Sequence, residues 1–348
     1  MPLPLTSALC MDAEIEACFT PEAELGAMLA FEAGLAASEA EAGLIPNHAA
    51  TEIGRACTKF TPDMSALATG LFKDGVLGPN FVKMLRQTLP EPVQKYLHFG
   101  ATSQDITDTA LTLRLKKILS IFDDRLTSLI NSLESLEQAQ GSLRIMAQTR
   151  MQAALPITVK DKISAWTRAL HRHQERLLLL APRLLVIQLG GPVGSRAELG
   201  EKAEAIAAGL ATKLALGNAA CWHNARDNIV EFGNVLALLT GTLGKMGQDA
   251  ALMAQTEIGA LKISGSGASS AMAHKANPVT AELLVALARY SSGLAGTLNQ
   301  AMIHENERSG AAWTLEWFVL PPLVMATGAA LREAINLIPR MQFTPLSS

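Results

Sequence analysis

The sequence predicts an all-α protein, a bundle of long helices with a smaller helical domain at its N-terminus. Three observations carry this. No stretch of any length alternates apolar and polar residues with the period of a strand. Leu115, Leu119, Phe122, Leu126, Leu129, Leu133 and Leu136 alternate spacings of four and three, the seam of a helix bundle or coiled coil. From Ile229 to about residue 258 the chain is apolar on every side of a helix, as in a helix surrounded by others.

Composition bounds what such a bundle can do. Of 348 residues, 49% are hydrophobic and 5% aromatic, which fits a well-buried folded chain rather than a disordered one. The formal net charge of −3 argues against a broad basic surface for nucleic acid, so an anionic ligand must be held by local cations. Cys10, Cys18, Cys57 and Cys221 form no Cys-x-x-Cys pair and read as reduced thiols of a cytoplasmic protein. Asp12, Glu14 and Glu16 interrupt the N-terminal apolar residues, so no signal peptide is expected. The apolar run 317–331 carries Pro321 and Pro322 and is too short to cross a bilayer, so no membrane partner is expected.

Residues 1–97 read as an N-terminal helical domain. Pro21 and the acids after it start a helix that runs to Gly43, with Leu25, Met28, Leu29 and Phe31 on its apolar side. Shorter helical pieces lie near 51–57 and 78–89, and Pro90 and Pro92 close the region. Residues 98–348 read as the long-helix domain. One helix is expected from Ser103 to about Gln148 and ends at Pro156. Its roughly 40 residues make a rod of ~60 Å, which needs equally long partners. Another helix is expected over 159–189, with Ile163, Trp166, Leu170 and Leu177 inward. The apolar helix from Ile229 follows, then one from Pro278 to about His304 and a last one near 322–337.

The stretch 265–278 concentrates chemistry between two of these helices. Gly265 and Gly267 open the backbone, while Ser266, Ser269 and Ser270 supply hydroxyls. Lys275 adds a compact cation, and Asn277-Pro278 has the form of an N-cap with proline at the first helical position. Such a helix start favours a bound carboxylate. A plain glycine-rich hinge is the alternative, but charge, amide and helix start converge within a few residues of the serines. Elsewhere, Thr102-x-x-Asp105 has the form of a capping box. His171 and His173 point to different helix faces and make a poor metal pair. Neither Gly190-Gly-Pro-Val-Gly194 nor Gly241-Thr-Leu-Gly-Lys245 has the spacing of a nucleotide loop, so neither metal nor organic cofactor is expected.

Ser269-Ser270-x-Met272-x-x-Lys275-x-Asn277-Pro278 resembles the signature of the fumarase/aspartase superfamily. Ala268 stands where that family has glycine, and Ala273 where it has proline. The resemblance implies that Ser269 transfers the proton, that Lys275 and Asn277 touch the substrate carboxylate, and that Ser270 and Met272 line the site. His98-x-Gly-x-Thr102-Ser103-x-Asp resembles the first segment of the adenylosuccinate lyase and carboxymuconate cycloisomerase branch, where the histidine and the Thr-Ser pair bind substrate anions. Gln148-Thr-Arg150-Met-Gln-Ala-Ala-Leu-Pro is similar to the second segment, with Arg150 in place of the lyases' catalytic histidine. Trp222-His223-x-x-Arg226-Asp227, the run 305–308 ending in Arg308, and 313–317 resemble the cycloisomerase subgroup. This adds His223, Arg226 and Arg308 as substrate contacts, with a buried Arg226–Asp227 contact as the alternative. The resemblance covers nearly the whole chain. It implies a homotetramer with active sites shared between subunits, and a further C-terminal helical domain for which little sequence remains.

The chemistry turns on Arg150. A lyase that expels an amine or hydroxide protonates it with the histidine, and a guanidinium, always protonated, cannot do so. In lactonisation the attacking group is a substrate carboxylate, ionised at neutral pH with a pKa near ~4, and needs no base. Arg150 then suits an anchor for one of several carboxylates. The expected activity is a cycloisomerase that closes a tricarboxylate such as carboxymuconate to a lactone. An adenylosuccinate-type amine lyase and a crystallin-like structural relative are the alternatives.

Overall fold

A computed structural model of the chain describes residues 4–265, 267–268 and 276–346. The N-terminal helices are α1 (Ala13–Glu16), α2 (Pro21–Glu41), α3 (Asn47–Lys59), α4 (Met64–Asp74), α5 (Gly78–Gln87) and α6 (Glu91–Gln94). Their core is Met28, Phe31, Leu35, Ile53, Phe81 and Leu85, all nearly inaccessible to solvent. The same core takes in Ile187, Leu189, Leu199 and Leu210, which lie far beyond residue 97 and include part of helix α9 (Ala203–Leu214).

The second, larger core belongs to five rods. α7 (Ser103–Gln140) has 38 residues, about 57 Å at 1.5 Å per residue. Its heptad seam is buried from Leu115 to Leu136 as the spacing requires. α8 (Val159–Leu184) begins at a capping box between Thr158 and Asp161 and buries Ile163, Trp166, Leu170 and Leu177. α10 (Asp227–Met253) lies against α8, α11 (Val279–Gln300) and α12 (Gly310–Leu337). Its glycines allow a close approach to α11: a Cβ on Gly244 would stand 2.4 Å from the Ala288 Cβ.

The structure departs from the expected helices in three places. First, α7 stops at Gly141, and β1 (Arg144–Thr149) and β2 (Gln152–Thr158) form an antiparallel hairpin. Thr149 pairs with Gln152 across a two-residue turn in which Arg150 and Met151 take φ of +50° and +65°. No glycine or asparagine marks that turn, and the hairpin shows no sustained apolar alternation because only its base, at Ile145 and Ile157, meets the core. Pro156 therefore lies in a strand opposite Met146 instead of breaking a helix. Second, Asn277 does not cap α11. It pairs with Gly267 in a two-residue ladder of β4 (Gly267–Ala268) and β5 (Ala276–Asn277), and Pro278 takes the cap position. Third, α12 starts twelve residues before Pro322, capped by Ser309 Oγ, and runs through both prolines because Trp313, Val319, Leu320 and Leu323 are held in the core. Among the described helices, only the stretch 310–340 is long and apolar enough to cross a membrane, and 67% of its 18-residue apolar window is buried within the protein.

Strands β3 (Leu261–Ile263) and β6 (Met341–Phe343) pair antiparallel, and Gln140 bonds the backbone of Met341 and Phe343. The end of α7, the hairpin, residues 261–265 and 276–278 and the end of α12 thus meet at one pole of the bundle. The starts of α7, α10 and α12 meet at the other, where Gln104, His223 and Arg308 are hydrogen-bonded together.

Candidate active site

The pole at the start of α7 is built on two carboxylates. Asp105 accepts hydrogen bonds from Thr102 N–H (3.0 Å), Gly190 N–H (2.7 Å), Gly191 N–H (2.9 Å) and His223 Nε2 (2.8 Å). The capping box expected at Thr102 is present, with its acid doing more than capping. Burial alone would lower the His223 pKa. Asp105, with Cys221, outweighs it and pushes it up to about 9, so the ring is an imidazolium at neutral pH.

One turn on, Asp108 accepts two bonds from Arg226, at 2.6 and 3.1 Å, and one from Trp313 Nε1 at 3.2 Å. Arg226 also gives two bonds to Glu316, at 2.8 and 2.6 Å, and lies 4.6 Å above the Trp222 ring. Burial would raise the Glu316 pKa, yet Arg226 and His304 hold it below the ordinary value. His304 Nε2 is 3.5 Å from Glu316, at ion-pair distance.

These bonds correct two expectations. Arg226 is 1% exposed and its guanidinium is taken up by two carboxylates, so it offers no free group to a substrate, whereas His223, 2% exposed, gives Nε2 to Asp105 and has no hydrogen-bond partner for Nδ1 among the described residues. Arg226 does not take Asp227 as its partner either; its partners come from α7 and α12. Both side chains lock the start of α7 against the starts of α10 and α12.

His98, Thr102, Ser103 and Arg308 remain near the surface of this pole. Arg308 is exposed and bonds Gln104 Oε1 (2.9 Å), Thr102 Oγ1 (3.4 Å) and Pro192 O (3.3 Å), which orients the guanidinium beside the free N–H groups at the start of α7. His98 has φ +62° and hydrogen-bonds Glu32 through Nδ1 at 2.5 Å. Ser103 is half-buried in the first turn of α7.

At the opposite pole, Arg150 is exposed at the tip of the hairpin. Asn277 is half-buried and lines a cleft with Gln248, Thr256 and Arg289. Arg340 ties the start of the signature segment to the end of α12, donating to Ser264 O (2.7 Å) and Gly265 O (2.6 Å). Gly265 is left-handed at φ +64°, and a Cβ on Gly267 would meet Val279 at 2.5 Å, so both positions need glycine. Ser269, Ser270, Met272 and Lys275 lie outside the described residues. Ala268 and Ala276, on either side of them, are cross-strand neighbours. Within one chain, therefore, His98, Thr102, Ser103 and Arg308 stand at the opposite end of the rods from Arg150 and Asn277, the rods running from about 33 Å for the 22 residues of α11 to about 57 Å for the 38 of α7.

Sequence reasoning missed Glu32, Asp108, Glu316 and Gln104 as parts of this architecture. A signal existed for two of them. Glu32 interrupts the apolar side of α2 formed by Met28, Phe31 and Leu35, and Asp108 sits one turn from Asp105 beside Ile106, Ala110 and Leu111. Among the described residues, no group of three or more His, Cys, Asp or Glu is arranged to hold a metal ion.

A bundle of long rods with a smaller helical domain is the fumarase/aspartase type of all-α fold. The chain belongs to the lyase family, whose model matches residues 12–290. It is 39% identical over 341 residues to the 3-carboxy-cis,cis-muconate cycloisomerase of Pseudomonas aeruginosa, covering 96% of this chain and 74% of that one. It is 37% identical over 347 residues to the protein of the same name from Acinetobacter baylyi, covering 97% and 77%. The crystal structure of the 3-carboxy-cis,cis-muconate lactonizing enzyme from Pseudomonas putida superposes with a TM-score of 0.91 at 38% identity, over 98% of this chain and 77% of that one.

Proposed function

We propose that the chain is a 3-carboxy-cis,cis-muconate cycloisomerase. The observation that carries this, beside the likeness to enzymes so named, is Arg150: a permanent cation at an exposed hairpin tip, where an amine lyase needs a titratable group. A substrate carboxylate oxygen attacks the double-bond carbon β to a second carboxylate, forming the C–O bond. The π electrons move onto the α-carbon and its carboxylate as an aci-dianion. The Ser269 hydroxyl protonates that carbon, and the serine regains its proton from solvent. Lys275, Asn277 and backbone N–H groups stabilise the dianion, while Arg150, Arg308, His98, Thr102 and Ser103 hold the other carboxylates. No metal or organic cofactor enters these steps, and the four free cysteines suit a cytoplasmic enzyme.

The purified protein is expected to bleach the conjugated diene absorbance of 3-carboxy-cis,cis-muconate and leave adenylosuccinate and argininosuccinate intact. Arg150→Ala raises KM by the loss of one charged hydrogen bond, about 1.5–3 kcal/mol. Cleavage of a succinyl-amine without turnover of the muconate would instead make the protein an amine lyase.

The working unit is a homotetramer in which different copies complete each site. The separation of the two groups of residues supports this, as do Leu178, Leu179, Leu238 and Tyr290, exposed on the rods at 73%, 58%, 54% and 45%. Sedimentation is expected to give a species of four chains. A stable, active monomer would rule out the shared site.

A further inference from the structure

Glu32 is a carboxylate in an apolar place. It lies on the buried side of α2, its side chain is fully inaccessible, and its Oε1 is 2.5 Å from His98 Nδ1. Its Oε2 and both carboxyl oxygens of Glu39, two turns further along α2, have no hydrogen-bond partner among the described residues. A bare pair of buried carboxylates would be prohibitively costly, so one of them must be neutral or balanced by a cation.

His98 supplies that balance. We propose that Glu32 is a positioning residue for His98: it fixes the imidazole ring through Nδ1 and so presents the Nε2 hydrogen to a substrate carboxylate. This rests on the function proposed above only for the identity of the ligand. His98 Nε2 has no partner among the described residues, its side chain keeps 13% of its surface, and it stands four residues before Thr102. The ring has little freedom to turn away. Arg86 pins the preceding backbone through Gln94 O (3.2 Å) and Leu97 O (3.1 Å), and a side chain at Gly191 would crowd Gly100 O at 3.0 Å, so the loop is closely packed on both sides.

The charged and titratable groups around the ring agree with this assignment. From α2, Glu39 is pushed up to about 9 by burial and by the charge on Glu32, and from α3 the Cys57 thiol is pushed up to about 12 by the same two causes. Both are neutral near pH 7, which leaves Glu32 as the anion that faces His98. Burial and Arg86 on α5 act to lower the His98 pKa, but Glu32, helped by Asp105 on α7, outweighs them and raises it. A raised imidazole pKa means that the cation is held more firmly than in an ordinary histidine and is lost only as pH climbs through the raised value. The Glu32 contact thereby favours the charged, donating form of His98 over the neutral one.

The test is Glu32→Gln, which keeps the shape and removes the charge. Histidine 15N spectra, with the His98 signal assigned from His98→Gln, are expected to show His98 titrating above an ordinary histidine in the wild type and at least one unit lower in Glu32→Gln. In Glu32→Gln, KM for the muconate should rise about 10-fold or more between pH 6 and pH 8 while kcat moves less than 3-fold, the mark of lost ground-state binding. Glu39→Gln, an amide in place of a neutral acid, should shift neither the titration nor KM. An unchanged His98 titration in Glu32→Gln, or a loss of kcat equal at all pH values, overturns the assignment. The wild-type titration alone decides if Glu32→Gln does not fold, because an ordinary or lowered His98 contradicts the Glu32 contact. The spectra need no turnover, so failure of the muconate assay would count against the proposed reaction and not against Glu32.

Discussion

Arg226→Met is expected to destabilise the folded chain by about 3–5 kcal/mol, the largest stability effect of any single substitution considered. The arginine is 1% exposed and gives four hydrogen bonds, two each to Asp108 and Glu316. Methionine fills the space beside Trp222 but leaves two carboxylates buried with no guanidinium between them. Burial pushes an unpaired carboxylate toward its neutral form, so the variant should lose most stability at neutral to alkaline pH and recover part of it in acid. Adding Asp108→Asn and Glu316→Gln removes the stranded charges and should restore a substantial part of the loss. Urea unfolding at one protein concentration, repeated at pH 6 and pH 8, measures both effects. If Arg226→Met alone unfolds within about 1 kcal/mol of the parent, buried charge does not hold this pole together.

Ser269→Ala should lower turnover of the muconate by about 100-fold or more with the fold intact, the usual range for loss of a proton-transferring group. Proton delivery to carbon is the one step of the lactonisation that no substrate group performs. On either side of the segment β4 and β5 pair, and Arg340 bonds the backbone of Ser264 and Gly265. KM should change little, because the carboxylates are held by other residues. Steady-state kinetics of Ser269→Ala and Ser270→Ala, with circular dichroism to confirm folding, settles the role. A dead Ser270→Ala beside a near-normal Ser269→Ala moves the proton to the second serine.

The rods were legible in the sequence because each is specified by its own repeat. The seam from Leu115 to Leu136 and the inward set Ile163, Trp166, Leu170 and Leu177 are buried as their spacing demands. The hairpin at 144–158 was not legible. Its turn places two non-glycine residues in left-handed backbone, and its strands reach the core only at their base, through Ile145 and Ile157. The start of α12 was hidden for the opposite reason: two prolines signal a stop that packing of Trp313, Leu320 and Leu323 overrides.

By itself the sequence determined the all-α class, the seams of the rods and the motif residues to which the chemistry is proposed to belong, because these depend on residue type and on spacing within one segment. The tertiary structure decided the roles of the charged residues, which depend on partners far away in the chain. Arg226 became a buried clamp through Asp108 and Glu316, 118 and 90 residues distant. His98 acquired Glu32, 66 residues before it. Arg150 and Asn277 were sent to the pole opposite Arg308, because α7 is a rigid rod and a helix fixes the distance between its ends.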